Sequence, residues 1–212
     1  MDHSTSSEPQ LISISLYLRV DSVAHKLAAH TQCSGPAKII FKSRVEELAI
    51  FSSRSVAEKI RPSGRTSMNY REFSIHVSRL PSNLVTCLIT TQDYPMRAAH
   101  SLISTIQSAW MKKAKPTWKL ASCDKKGDYG FSKDLKEFMK FGQNPRKVDK
   151  IYIIQDELDE TKKIMVENLD HVFKRQESLE DLILRSKDLS DSAKRFALES
   201  HDLTPRCPCS IL

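Results

Sequence analysis

Glycine is scarce in this 212-residue chain, which has 5 glycines against 9 prolines. The scarcity disfavours the glycine-rich loops that bind nucleotide phosphates. The sequence also lacks the G-x-x-x-x-G-K-[ST] motif, in which backbone N–H groups and a lysine hold phosphate oxygens. These two absences exclude a small GTPase, a class whose members can also end in a C-terminal prenylation box like the last four residues of this chain.

Long apolar runs are also absent. No stretch approaches the ~18–20 apolar residues that cross a bilayer as a helix, and the first ten residues are polar rather than a secretory signal. We therefore expect a cytosolic protein, in which cysteines are thiols and not disulfides. The five cysteines are Cys33, Cys87, Cys123, Cys207 and Cys209.

Catalytic and metal-binding patterns are missing as well. The serine-rich "FSSRS" stretch lacks the G-x-S-x-G pattern of a nucleophile elbow, and no nucleophile, base and oxyanion site can be assembled. His25, His30 and Cys33 do not have the spacing of a known metal site. We expect no enzymatic activity, no catalytic residues, no metal and no cofactor.

Charge is present in quantity but unevenly distributed. Residues 151–212 hold 9 basic and 13 acidic residues, a net −4, whereas residues 1–150 hold 24 and 13, a net +11. Opposite charges indicate that the two parts contact each other, and a basic first part also suits anionic lipid. Nucleic acid is disfavoured, because no basic cluster alternates with aromatic residues in a known motif.

The first two thirds of the chain predict alternating strands and helices. Period-two or apolar stretches predict strands, and positions spaced by three and four predict helices. A disordered leader covers residues 1–10. Strands are predicted at 11–20, 25–32, 71–80 and 84–91, and helices at 44–60, from Pro95 to residue 115, and from a capping Ser132 to the "GQNP" segment. The pattern indicates an α+β domain with helices on both sides of an antiparallel sheet.

The last third has a different pattern. From Ile151 to Leu203, steps of three and four residues alternate without glycine or proline, which is typical of a coiled coil. A lone helix of this kind cannot bury its apolar stripe, so it needs partners. The seam consists of Ile151, Ile154, Leu158, Thr161, Met165, Asn168, Val172, Arg175, Leu179, Leu182, Ser186, Leu189, Ala193, Phe196, Ser200 and Leu203.

Arg175 occupies a seam position where an apolar residue is expected. An unpaired cation buried in a self-associated coil costs several kcal/mol, and arginine has five N–H donors and no acceptor. Amide oxygens from other helices at the same level would satisfy it. The alternative is an ordinary coiled coil from which the side chain extends to solvent.

The segment "QDELDETKKIMVENLDHVFKRQESLEDLILRSKDLSDSAKRF" resembles an R-SNARE motif over its full length. The resemblance implies a parallel four-helix bundle with three Gln-SNARE helices. It places Arg175 at the central ionic layer and the other seam residues at the flanking core layers. Residues 146–206 would form this motif.

The front part resembles a longin domain, because "LITTQDYPMRAAHSLISTIQSAW" is similar to the last strand and long helix of that fold. The resemblance implies a profilin-like α+β domain over residues 11–142, with a five-stranded antiparallel sheet between helices. In that family a groove beside the first helix receives SNARE segments, and Leu48 and Phe51 are our candidate groove contacts.

The sequence "RCPCSIL" at residues 206–212 predicts a lipidated tail over 207–212. Cys209 begins a prenylation box whose leucine favours geranylgeranyl, and Cys207 is the candidate palmitoyl site, since one lipid anchors only reversibly. A Cys-x-Cys metal pair is the alternative, disfavoured without further ligands nearby. The combination resembles the synaptobrevin homologues that carry lipids in place of a transmembrane helix.

These resemblances imply membrane fusion in vesicle transport, with SNARE regulators as further partners. The longin domain would fold back on the SNARE motif and yield a soluble closed form. The protein would then cycle between the cytosol and the cytosolic face of Golgi, endosomal, vacuolar or vesicle membranes. The alternative is a lipid-anchored coiled-coil tether or trafficking adaptor without fusion activity.

Overall fold

The structure is a computed structural model, which describes residues 9–32, 38–62, 64–114, 129–148, 164–173 and 178–202. Its described strands form one six-stranded sheet in the order β2-β1-β5-β4-β3-β6. Every pairing is antiparallel except that of β3 with β6. The strands are β1 (Leu11–Val20), β2 (Val23–Thr31), β3 (Arg65–Tyr70), β4 (Phe73–Arg79), β5 (Leu84–Thr91) and β6 (Ile164–Asn168).

Helices cover both faces of this sheet. α1 (Lys38–Lys59) lies on one face, and α2 (Met96–Lys113) and α3 (Ser132–Gly142) lie on the other. β1 is central and covered on both sides, so its sequence is apolar along most of its length rather than strictly alternating. We call residues 11–148 the N-terminal domain.

Two hydrophobic clusters result, one on each side of the sheet. The cluster on the α2 side contains Leu16, Leu88, Leu102, Trp110 and Met139 among its fully buried members. The cluster on the α1 side contains residues of α1, β3, β4 and β5, and also residues beyond position 164. The chain downstream of the N-terminal domain therefore completes one of its two cores.

A polar layer lies between α2 and the β3–β4 part of the sheet. The Ser67 hydroxyl lies 2.8 Å from His76 Nδ1 and 2.9 Å from His100 Nε2, and His76 Nε2 lies 3.1 Å from the Thr90 hydroxyl. Burial lowers the pKa of His76 to about 4. Burial and, to a smaller extent, the neighbouring His76 and Arg65 lower the pKa of His100 to about 3. Both rings are therefore neutral at physiological pH.

The predicted layered α+β architecture is confirmed, with corrections. The sheet has six strands and not five. β3 was not identified individually, and β6 comes from the region predicted to be coiled coil. α1 begins at Lys38 rather than at residue 44. Ser132 is the first residue of α3 and not its cap, because Phe131 holds the N-cap position without a side-chain hydrogen bond.

The predicted continuous helix over residues 151–203 is not what the single chain adopts in the described part of this region. Residues 164–173 and 178–202, which we call the C-terminal segment, form β6, α4 (Leu169–Val172), α5 (Leu179–Arg185) and α6 (Asp191–Asp202). The first part of the segment is a strand because the open edge of β3 offers hydrogen-bond partners to its backbone. Tertiary contacts thus override the helical pattern.

Candidate interaction site: the C-terminal segment and the surface that holds it

β6 attaches the C-terminal segment to the edge of the sheet. Its register runs parallel to β3, from Arg65 opposite Ile164 to Asn69 opposite Asn168. The strand sequence IMVEN contains Ile and Val, which favour extended backbone. β6 covers the otherwise open edge of β3, and Met165 on it remains 40% exposed.

The three short helices cover the α1 face of the N-terminal domain. α4 contacts β3, and α6 contacts both α1 and α5. Buried side chains of these helices, of the residue after α4 and of the connection between α5 and α6 join the cluster that contains Val56 of α1 and Met68 of β3. These buried side chains are Leu169, Phe173, Leu179, Ile183, Leu189 and Ala193.

Arg71 connects the β3–β4 turn to two of these helices. Its guanidinium donates to the Glu180 carboxylate of α5 and, at 3.3 Å, to the Ala197 carbonyl of α6. The Tyr70 hydroxyl donates to the same carboxylate at 3.3 Å, and the Arg71 guanidinium lies 5.3 Å from the Tyr70 ring centre. Arg71 has a backbone φ of 52°, a conformation that few residues other than Gly, Asn and Asp adopt.

A second set of polar contacts joins α1 to the start of α6. Ser190 donates to the Glu47 carboxylate from its hydroxyl at 2.7 Å and from its backbone N–H at 3.1 Å. These two hydrogen bonds, the side-chain bond first, lower the pKa of Glu47. Arg54 of α1 and Asp188 form an exposed ion pair at 3.8 Å, which contributes little in water.

α5 begins with a reciprocal cap. Ser178 Oγ accepts from the Asp181 N–H at 3.1 Å, and the Asp181 carboxylate accepts from the Ser178 N–H at 3.2 Å. The Ser178 hydrogen bonds lower the pKa of the Asp181 carboxyl. The cap satisfies backbone donors at the first turn, so α5 has a defined start within the segment.

The predicted seam residues are divided by this fold. Leu179, Leu189 and Ala193 are buried against the N-terminal domain, whereas Met165 and Asn168 are exposed on β6. Four are half-buried: Val172, Leu182, Ser186 and Phe196. Ser200 lies in α6. Outside the described residues lie Ile151, Ile154, Leu158, Thr161, Arg175 and Leu203, together with the lipid candidates Cys207 and Cys209 and the thiols Cys33 and Cys123.

Leu48 and Phe51 lie on α1 and pack, partly buried, against the cluster that includes the C-terminal segment. Their assignment as groove contacts stays a prediction. Sequence reasoning missed Arg71, Tyr70 and Glu47, since no pattern distinguishes them from other surface residues. The opposite net charges of the two parts and the resemblance to longin domains indicate that the two parts contact each other, but neither identifies these three residues.

Neither a membrane span nor a metal site is found among the residues that the structure describes. No described helix is both long enough and apolar enough to cross a bilayer. No group of three or more His, Cys, Asp or Glu residues in the same ranges could hold a metal ion. His25 and His30 lie on β2.

Two family models match the chain in succession. The Longin model, described as a regulated-SNARE-like domain, matches residues 28–139, and the Synaptobrevin model matches residues 150–209. The first match covers the end of β2, strands β3, β4 and β5, helices α1 and α2, and most of α3. The second includes all of the C-terminal segment.

Individual relatives match most of the chain. VAMP-like protein YKT61 of Arabidopsis thaliana is 32% identical over 171 residues, 81% of this chain and 83% of the relative. Synaptobrevin homolog ykt6 of Schizosaccharomyces pombe is 28% identical over 188 residues, 88% and 92% of the two chains. Synaptobrevin homolog YKT6 of Saccharomyces cerevisiae is 29% identical over 155 residues, 73% and 77%. A longin fold followed by a synaptobrevin region, matched over most of both chains, means that this chain belongs to the Ykt6 family of longin-domain R-SNAREs, which are non-enzymatic proteins of vesicle trafficking.

Proposed function

We propose that the described fold is the closed state of this R-SNARE. The observation that carries the proposal is the burial of Leu179, Leu189 and Ala193 against the N-terminal domain. All three are also predicted core layers of a four-helix bundle. One side chain cannot be buried in both places at once, so closure and bundle assembly exclude each other.

In the open state, residues 146–206 would join three Gln-SNARE helices on an opposing membrane. Burial of the apolar seam would supply the driving force, at roughly 25 cal/mol per Å² before entropic costs. Before this can happen, β6 must leave β3 and the short helices must leave the α1 side of the N-terminal domain. The N-terminal domain therefore sets how much of the protein is available for fusion.

Arg175 would occupy the central layer of that bundle and donate hydrogen bonds to the side-chain oxygens of three glutamines. Mixing the full chain with three Gln-SNARE helices tests this role. We expect the wild type to assemble with them in preference to itself, and Arg175→Leu to lose this preference, because leucine needs no amide oxygens. Equal selectivity of Arg175→Leu and wild type would contradict the central-layer role.

The same mixture separates fusion from the tether alternative. Light scattering after size-exclusion chromatography measures the stoichiometry, and circular dichroism measures the gain in helix. A 1:1:1:1 complex with increased helix supports the R-SNARE mechanism. A stable homodimer that ignores the added helices supports a tether.

We further propose that Cys209 carries a prenyl chain and that Cys207 is palmitoylated, as the tail sequence predicts. The lipids would transmit the pull of the bundle to the bilayer and would place the protein on Golgi, endosomal, vacuolar or vesicle membranes. One chain alone binds membranes reversibly, which suits exchange with the cytosol. Mass spectrometry of the C-terminal peptide tests both modifications, and unmodified thiols at both positions would contradict them.

A further inference from the structure

Six residues of the C-terminal segment are buried among those whose burial the structure describes, and three of them are not seam residues. Leu179, Leu189 and Ala193 belong to the predicted seam, but Leu169, Phe173 and Ile183 each lie one position after a seam residue. Phe173 is 1% exposed. It is one of the largest fully buried side chains among the described residues.

A four-helix bundle has no use for an aromatic residue at position 173. With 3.5 residues per turn, the residue that follows Val172 lies about 130° from the centre of a seam formed by positions 172 and 175. That direction faces solvent. Leu169 and Ile183, which follow Asn168 and Leu182, lie at roughly 77° and would flank the seam.

Two of the seam residues show the reverse pattern. Met165 is an expected core layer, yet it is exposed on β6, and Phe196 is only half-buried on α6. The segment therefore has two apolar surfaces that overlap but are not identical. One set would be buried in the bundle, and the other is buried here on the α1 side of the N-terminal domain.

We propose that Phe173, supported by Leu169 and Ile183, is a specificity determinant that commits the C-terminal segment to its own N-terminal domain rather than to foreign helices. The proposal rests on the closed state proposed above. Phe173 enters the cluster that contains Met68 and Val56, and α4 contacts β3 directly. Bundle assembly must remove Phe173 from this cluster and gains nothing by exposing it.

The same change, phenylalanine to alanine, made at two positions in separate full-length variants tests this assignment. Phe173→Ala removes an off-seam aromatic side chain, and Phe196→Ala is the matched control at a seam position. Hydrogen exchange of the α5 and α6 amides reports closure. The thermal midpoint of the complex with three soluble Gln-SNARE helices that assemble with the wild type reports bundle stability.

We expect opposite results from the two variants. Phe173→Ala should accelerate exchange in α5 and α6 on the order of 100-fold or more, as for a lost core aromatic residue, and leave the midpoint of the complex within about 2 °C of wild type. Phe196→Ala should lower that midpoint clearly and accelerate exchange less than about 10-fold. Amides of β1, β5 and α2 should keep their protection in both, which shows that the N-terminal domain is folded.

Ile183→Ala gives an independent measurement should Phe173→Ala disturb the N-terminal domain, and it should also accelerate α5 and α6 exchange without lowering the midpoint of the complex. The proposal is overturned if the off-seam substitutions leave exchange unchanged, or if they weaken the complex as much as Phe196→Ala. Unprotected α5 and α6 amides in the wild type would overturn the closed state itself.

Discussion

Arg71 is the residue whose removal should open the closed state with the least damage to either hydrophobic cluster. Its side chain is 26% exposed and that of Glu180 is 40% exposed, so solvent weakens their ion pair to about 0.5–1 kcal/mol. The hydrogen bond to the Ala197 carbonyl adds about 0.5–1 kcal/mol. We therefore expect Arg71→Ala to destabilise closure by about 1–2 kcal/mol, which corresponds to a roughly 5–30-fold larger open population.

Hydrogen exchange of α5 and α6 measures this change directly, because their amides exchange through the open state. Arg54→Ala is the matched control, since its ion pair with Asp188 is longer and more exposed. It should change exchange less than about twofold. A double-mutant cycle of Arg71→Ala with Glu180→Gln isolates their coupling. If Arg71→Ala exchanges at the wild-type rate, Arg71 does not hold the segment and our assignment is refuted.

Three further predictions concern the N-terminal domain and its contact with α6. The folded-state pKa values of His76 and His100 lie below the unfolded value of about 6.5, so the unfolded state binds more protons below that pH. The free energy of unfolding measured in urea should therefore fall by about 1.4 kcal/mol per pH unit and per histidine from about pH 6.5 towards 4. The slope should be shallower in His76→Asn. In Gly142→Ala the new Cβ would lie 2.5 Å from Leu11 Cδ2 and 2.7 Å from Leu102 Cδ2. The cost of this overlap, partly offset by about 1 kcal/mol because alanine favours the helix, should lower the free energy of unfolding by about 1–2 kcal/mol. An unchanged free energy of unfolding would contradict this packing. Ser190→Ala should raise the pKa of Glu47 in a carbon-detected NMR titration, and an unaltered titration would mean that α6 does not rest on α1.

Local sequence patterns predict most strands and helices of the layered fold, but they do not predict a strand with buried polar residues. β1 is predicted and found at residues 11–20, because a strand covered on both faces favours a mostly apolar sequence. β3 was missed because its face towards α2 carries Ser67 and Asn69, and Ser67 joins the buried histidine layer. A polar strand is compatible with burial only where other elements supply hydrogen-bond partners, and no local pattern shows those partners.

Some residues of the candidate site were predictable from the sequence, but its conformation was not. The three–four repeat identifies Leu179, Leu189 and Ala193 as apolar contact positions, and all three are buried here. The repeat cannot show that the start of the C-terminal segment is a strand, because β6 depends on pairing with the free edge of β3. The contact of Arg71 with Glu180 joins positions 109 residues apart, and such a pairing depends on the assembled fold.

Closure and bundle assembly both depend on the fraction of open protein, so the exchange measurements and the binding measurements are quantitatively related. If only the open state binds Gln-SNARE helices, the apparent dissociation constant equals the intrinsic one divided by the open fraction. While that fraction is small, Arg71→Ala should increase the apparent affinity by the same roughly 5–30-fold by which it increases exchange in α5 and α6. Titration of fluorescent Gln-SNARE helices into both proteins gives the affinity ratio. A large rise in exchange without a matching rise in affinity would mean that the helices bind the closed chain, and closure would then not control assembly.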